Sequence, residues 1–411
     1  MSNHNKHKIL NDPVYGFITI QHTLSFDLMD HPYVQRLRRI SQLGLSHLVY
    51  PGAVHNRFHH AIGALHLMQE AIAVLRAKGT EISDSEAEGA CAAILLHDIG
   101  HGPFSHALEH SIVKGVHHED ISTLIMARLN EEFNGALDTA IAIFNDHHPK
   151  KFLHQLVSSQ LDMDRMDYLA RDSFYSGVAE GKIGSERIIK MLAVEDNELV
   201  VEEKGIYSIE KFLMARRLMY WQVYLHRTVL CAEFMLMTAL KRAKDLAQQG
   251  VEIHASPALR TFIYESLDRT RFFADEAILD QFCLLDDSDI LAALKVWQFH
   301  DDFVLSEVSR RIVHRDLLRI DLRPEAFADD ELQSLVSRTA SHYGVSESEA
   351  AYLVINDRID NKLYEAGGIT IRFKNGAKAD FADASDQLSR EILMRTVAKS
   401  FVCYPKELGS A

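Results

Sequence analysis

The 411-residue sequence predicts a mainly α-helical fold with a short N-terminal strand, one β-hairpin and a smaller α+β C-terminal region. Three observations carry this expectation. Apolar residues recur at three- and four-residue spacing over most of the chain, apolar/polar alternation is confined to a few short runs, and the periodicity changes near residue 315. In chain order, residues 16–21 alternate as a strand, and helical spacing then governs residues 34–43, 61–75, 87–96, 121–129 and 152–169. Residues 192–209 read as a hairpin turning at Glu195, Asp196 and Asn197. One long helix is expected over about 209–248, stopped by Gly250, a residue suited to the conformation that ends helices. Amphipathic helices continue to about His314. Residues 317–322, 351–356 and 368–373 then look extended, with Lys374-Asn375-Gly376 as a hairpin turn. The expected division is a core of residues 1–315 and an associated region of residues 316–411, with no internal repeat or low-complexity linker.

Composition narrows the function classes. With 47% hydrophobic and 25% charged residues, the chain can bury a substantial core, which excludes global disorder and collagen. A net charge of −14 opposes nonspecific attraction to nucleic acid or an anionic membrane, yet permits a small basic pocket. The most apolar stretch, residues 229–240, is interrupted by Glu233 and too short to span a bilayer, and the polar residues 1–8 do not resemble a leader. Cys91, Cys231, Cys283 and Cys403 are widely spaced with no CxxC pair, as expected of free thiols in a reducing, cytoplasmic compartment. Histidine is the anomaly: 23 His outnumber 20 Gly, and eleven of them fall between His47 and His118.

Within that stretch, Leu95-Leu96-His97-Asp98-Ile99-Gly100-His101-Gly102 sets an imidazole beside a carboxylate at the end of an apolar helix. The dipeptide alone also suits a core histidine hydrogen-bonded to its neighbouring aspartate. A metal becomes the better explanation with two further ligands: His60, which opens a helix after Arg57-Phe58-His59, and Asp164, in a run of carboxylates among apolar residues. Two imidazoles and two carboxylates suit Mn, Fe, Zn, Ni or Co better than Ca, and leave positions for water and a phosphate oxygen. Such an ion lowers the pKa of bound water towards neutrality. Arg57, three residues before His60, is expected to bring a guanidinium fork to the same side. Tyr168 and Asp172, at i+4 and i+8 from Asp164, share its helix face. Arg216, Tyr220, Tyr224 and Arg227 form a stripe on the expected long helix, which reads either as a solvated face or as the wall of a wet pocket.

The order His60, His97-Asp98, Asp164 resembles the H…HD…D pattern of the HD-domain metal-dependent phosphohydrolases. Asn11-Asp12-Pro13, Gln35-Arg36-Leu37-Arg38, Gln42-Leu43-Gly44, Tyr50-Pro51-Gly52-Ala53, His55-Asn56-Arg57-Phe58, residues 97–106 and residues 162–172 are similar to the deoxynucleoside triphosphate triphosphohydrolase, or dGTPase-like, branch. The similarity covers roughly residues 9–230. It implies an HD-type helical core and attack by a metal hydroxide at the α-phosphorus of a dNTP, releasing deoxynucleoside and triphosphate. Mg accompanying the nucleotide and a homo-oligomer, dimer or tetramer, are implied as well.

The resemblance also implies residue roles. His101, His106 and His118 would lie beside the scissile phosphate, with Glu109 orienting His106 at a position where relatives more often carry Asp. Arg165 and Tyr168 would hold phosphates and Asp172 the sugar hydroxyl, with Gln42 and Leu43 beside sugar and base. On the stripe, Arg216 suits a terminal phosphate and Tyr224 the sugar face, where it would exclude a 2′-hydroxyl. Asp30, Gln35 and Arg38, expected on one amphipathic helix with Asn11 nearby, match positions that read a guanine nucleotide activator in regulated relatives; an ordinary surface ion-pair helix is the alternative. An HD nucleotidase, or another phosphomonoester or phosphodiester hydrolase, is the enzymatic alternative. A nucleotide-sensing scaffold is the non-enzymatic one.

Overall fold

The computed structural model describes residues 8–104 and 115–409; His106 and Glu109 lie outside the described residues. The fold is mainly helical, with small sheets at its periphery. The N-terminal strand is in fact a hairpin: β1 (Lys8–Asp12) pairs antiparallel with β2 (Gly16–Ile20), and Asp12 Oδ1 closes the turn by accepting from the Val14 and Tyr15 amides. The Lys-Ile-Leu-Asn-Asp run of β1 is too short and mixed to show alternation.

The central helices begin at polar caps. Arg57–Ala77 starts from a capping box in which the Asn56 side chain accepts from the His59 amide, while His59 Nδ1 accepts from the Asn56 amide. Asp84–Leu96 starts from the equivalent Ser83/Glu86 box and is buried along most of its length. The expected helix over 152–169 is two helices, Lys151–Val157 and Met163–Ser176, because the Asp162 carboxylate caps the second by accepting from the Arg165 amide. Residues 34–43 likewise break up, into the helix Pro32–Arg36 and the 3-10 turn Leu37–Arg39.

The single long helix over 209–248 is not formed. Ile206–Met219 runs into a π turn, Tyr220–Tyr224, and a second helix, Arg227–Gln248, leaves at 56°. The Leu225 amide reaches back five residues to the Tyr220 carbonyl at 2.7 Å, and the Tyr50 hydroxyl donates to the Gln222 carbonyl. His226 is extended and caps the new helix through Nδ1, which accepts from the Thr228 amide. Among the described residues no single helix is long and apolar enough to cross a membrane.

The central hairpin is present as β3 (Leu192–Glu195) and β4 (Glu198–Glu202). Strand β7 (Thr370–Arg372) pairs in parallel with β4, and β8 (Lys378–Asp380) comes next through the expected 374–376 turn. The C-terminal region is thereby stitched to the core. A second sheet has the order β5-β9-β6, with β5 at Arg319–Arg323, β6 at Ile355–Lys362 and β9 at Thr396–Tyr404. The extended stretch expected over 351–356 is only partly extended, because Ala351–Leu353 is a 3-10 turn and the strand begins at Ile355. One continuous apolar cluster runs from Ile18 through Leu65, Leu95 and Phe212 to Phe401.

Candidate metal centre and substrate cleft

Four side chains from three helical segments converge. His60 lies in the first turn of Arg57–Ala77, His97 and Asp98 where Asp84–Leu96 ends, and Asp164 in the first turn of Met163–Ser176. His60 Nε2, His97 Nε2 and Asp164 Oδ1 form a triangle with edges of 3.1, 3.3 and 3.4 Å. Asp98 completes the cluster, its Oδ1 3.4 Å from His97 Nε2 and its Oδ2 3.7 Å from His60 Nε2. Ligand atoms about 2.0–2.2 Å from an ion stand roughly 3.0–3.5 Å from each other, so these spacings fit a transition metal.

The tautomers fit as well. His97 Nδ1 lies 2.6 Å from the Ile94 carbonyl, which can only accept, so Nδ1 carries the proton and Nε2 presents a lone pair inwards. His60 Nδ1 donates in the same way to Asp167 Oδ2 at 2.8 Å. Asp167 is gripped by Arg171 at 2.9 and 3.0 Å, and Arg171 reaches Asp12 Oδ2 at 2.7 Å, so the metal-facing imidazole is tethered to the N-terminal hairpin. Asp167 and Arg171 are both 0% exposed. Gly63 makes room for them: a Cβ there would stand 2.0 Å from Asp167 Oδ1 and 2.1 Å from Arg171 Nη2.

Without a cation the site is electrostatically one-sided. Burial disfavours charge on His60, but Asp164 and Asp167 raise its pKa to about 10. Burial also opposes charge on Asp98 and Asp164, yet the neighbouring imidazoles, with Arg57 at Asp98, hold both carboxyls below the usual range. The donor set therefore favours a divalent ion in both charge and geometry.

His101 faces the same carboxylate, with Nε2 3.3 Å from Asp98 Oδ1, and stacks on His118 at 3.8 Å between ring centroids. Burial, together with Arg57, pushes the His101 pKa down to about 3, which keeps the ring neutral. Close approach of the His118 segment requires Gly100, where a Cβ would come within 2.1 Å of the His118 carbonyl. Ser122 bolts the two segments together, donating to the His97 carbonyl and accepting from the Gly100 amide. Arg57 does reach the metal side, where Nη1 pairs with Asp98 Oδ2.

A cleft of about 770 Å³ opens from this centre, within the size range of small-molecule sites. Gln42, Leu43, Arg57, His101, His118, Arg165, Tyr168, Asp172, Tyr220 and Tyr224 all line it. Asp172 is fixed on its floor, receiving His55 Nε2 at 2.7 Å and the Tyr224 hydroxyl at 2.8 Å. Burial, and next the Asp172 charge, raise the Tyr224 pKa well above its ordinary value, so the phenol remains a donor. The four-residue stripe is broken by the π turn and the bend. Tyr220 and Tyr224 line the cleft, Arg216 keeps its guanidinium 5.8 Å from the Tyr220 ring with Nη1 buried and without a hydrogen-bond partner among the described residues, and Arg227 is exposed at the start of the next helix.

Nor do Asp30, Gln35 and Arg38 share one helix. They end Thr23–Asp30, lie in Pro32–Arg36 and lie in the 3-10 turn Leu37–Arg39, because His31-Pro32 interrupts the run. Asp30 pairs with Lys8, Gln35 donates to the Met29 carbonyl, and Arg38 bonds Gln35 and covers the Phe58 ring; Asn11 is exposed on β1. Sequence reasoning missed Asp12, His55, Asp167 and Arg171 behind the site. It also missed Glu233, Asp357 and Arg358 on the cleft wall. The His55 and residue 162–172 motifs contained the first signal, but the strand β6 residues had none.

Residues 57–172 match the HD domain family, and residues 183–257 match the HD associated region. A crystal structure of a phosphohydrolase from Bacteroides thetaiotaomicron superposes with a TM-score of 0.95 at 53% identity, over 97% of this chain and 100% of that one. The Bacillus subtilis protein YwfO is 33% identical over 363 residues, covering 86% of this chain and 80% of its own. The deoxynucleoside triphosphate triphosphohydrolase SAMHD1 homolog of Dictyostelium discoideum is 31% identical over 257 residues, 57% of this chain and 49% of its own. This chain thus spans about half the length of that relative. Fold and site together define a metal-dependent hydrolase. The chain belongs to the HD-domain phosphohydrolases.

Proposed function

We propose that this enzyme hydrolyses deoxynucleoside triphosphates to deoxynucleoside and triphosphate. The observation that carries the reading is the Tyr224–Asp172 bond on the cleft floor, on the same helix face as the metal ligand Asp164. Eight residues separate Asp172 from Asp164, roughly 12 Å of helix rise, which suits a nucleotide with its phosphate at the metal and its sugar at the phenol. A ribose 2′-hydroxyl would press on the Tyr224 ring. Similarity to the triphosphohydrolase SAMHD1 homolog supports the same reading.

His60, His97, Asp98 and Asp164 would hold the ion, which when bound supplies Lewis-acid activation of water and neutralises phosphate charge. Arg57 and Arg165 would orient the phosphates with Tyr168. His101 and its stacked partner His118 would lie beside the scissile phosphate, the neutral His101 ring as a hydrogen-bond partner to the phosphate rather than as the acid. Asn11, Asp30, Gln35 and Arg38 would form a guanine nucleotide activator site in a homo-oligomer. The test is to identify the products from each dNTP and matched NTP with Mn or Mg. Deoxynucleoside plus triphosphate is expected, whereas orthophosphate from monophosphates would assign a nucleotidase.

A further inference from the structure

The cleft wall contains a residue pair from outside the helical core. Asp357 and Arg358, neighbours on β6, both line the cavity, as do Leu230, Glu233 and Phe234 of the Arg227–Gln248 helix. Strand β6 is the edge of its sheet, and β9 places it: Asp357 registers with Phe401 and Arg358 with Ser400, while Phe401 packs on Phe234 at 4.9 Å, itself a lining residue. The Asp357 carboxylate accepts from the Arg358 amide at 2.7 Å and holds the edge in shape.

Charge gives the pair a task. Among the described residues the cleft is lined by five carboxylates, Asp98, Asp164, Asp172, Glu233 and Asp357, against three guanidinium groups. Arg57 is tied to Asp98 and Arg165 to Asp162, whereas Arg358 has no carboxylate partner among the described residues. A divalent ion offsets the excess acid but leaves little positive charge for a chain of phosphates. Of the two arginines expected from the sequence to serve there, Arg227 is exposed on the next helix and Arg216 stays beside the Tyr220 ring at 5.8 Å.

Resting on the triphosphate reading, we propose that Arg358 binds the phosphate chain beyond the α-phosphate, so that the C-terminal region supplies the residue that measures chain length. A guanidinium free of carboxylates meets phosphate oxygens with its paired donors.

The test uses the metal-loaded full chain and non-hydrolysable 5′-methylene-phosphonate deoxynucleotide analogues with one, two or three phosphorus groups, with binding measured by calorimetry. In Arg358→Ala, affinity for the three-phosphorus ligand is expected to fall about tenfold or more. Affinity for the one-phosphorus ligand should change less than about twofold, and Arg358→Lys should recover part of the loss. Both substitutions are at an exposed residue, and far-UV circular dichroism checks the fold. An equal loss for all chain lengths, a loss that tracks the base instead, or no loss overturns the proposal. If the wild-type chain binds one and three phosphorus groups equally well, the triphosphate reading itself fails, a result distinct from wild-type chain-length dependence that Arg358→Ala leaves intact.

Discussion

Asp167→Asn separates the metal-facing role of His60 from the mere burial of an imidazole. Asp167 Oδ2 accepts both His60 Nδ1, at 2.8 Å, and Arg171 Nε, at 2.9 Å, while Oδ1 accepts Arg171 Nη2 at 3.0 Å. An asparagine can keep its oxygen at the shared Oδ2 position, which directs its NH2 against Arg171 Nη2. One charge-assisted bond is lost, about 1.5–3 kcal/mol, and Arg171 is left with Asp12 as its sole carboxylate. A buried pair deprived of one charge costs about 3–5 kcal/mol in total. The imidazole also loses the carboxylate that strengthens its Nε2 lone pair, an outer-shell effect of about 10–100-fold in metal affinity. Chelator-buffered Mn titration and urea unfolding, each with and without metal, measure the two effects. Weaker metal binding and lower stability are expected together. Metal affinity within twofold of wild type, in a destabilised but folded variant, would refute coupling between Asp167 and the metal and leave it a structural anchor.

Three further outcomes are expected. Tyr224→Ala should reduce discrimination between dNTP and NTP in steady-state kinetics more than it reduces metal binding; unchanged sugar preference removes Tyr224 from the pocket. Gly63→Ala forces a methyl group into the Asp167–Arg171 pair and should cost about 3 kcal/mol or more in urea unfolding, with wild-type stability contradicting the close packing. Asp302 caps Phe303–Val313 and pairs with Arg242. Burial opposes its charge, but Arg242 and the Leu305 amide hold its pKa below the usual carboxylate value. Its stabilisation is therefore present above the unfolded carboxyl pKa of about 4 and lost as pH falls through the lower folded value. Asp302→Asn retains the cap and should lose about 1 kcal/mol at pH 7, an amount reduced by partial solvent screening, with the difference from wild type closing below about pH 4. A gap that persists in acid assigns the loss to packing.

The candidate metal centre was legible because each candidate ligand sits in a short, chemically distinctive run: His60 after a cap, His97-Asp98 before glycines, Asp164 among carboxylates. Helical spacing likewise located the Arg57–Ala77 and Asp84–Leu96 helices, whose apolar residues meet one core. What escaped depends on distant partners. Arg171 takes its meaning from Asp12, 159 residues away, and β6 faces the cleft only because β9 and Phe234 position it. The π turn at Tyr220–Tyr224 is hidden for another reason. Residues 206–248 contain neither Gly nor Pro, and their apolar spacing suits a straight helix, so the break arises from packing that includes Tyr50 on the Gln222 carbonyl.

That break has a consequence for the chemistry. On an unbroken helix Arg216, Tyr220, Tyr224 and Arg227 would share one face; Arg216, which precedes the π turn, keeps that relation to Tyr220, whereas Arg227 loses it. The π turn takes up an extra residue per turn, and the 56° bend redirects the Arg227–Gln248 helix. Tyr224 is thereby pressed onto Asp172, and the wall beyond it becomes Leu230, Glu233 and Phe234 rather than arginine. An acidic and apolar wall cannot hold a polyphosphate by itself. If the cleft takes a triphosphate as proposed, further cationic contacts would come from other elements: Arg57 and Arg165 beside the candidate metal centre, and Arg358 from β6. Under that reading, the local distortion that presses Tyr224 onto Asp172 leaves the phosphate chain to residues of several elements, Arg358 of the C-terminal strand among them.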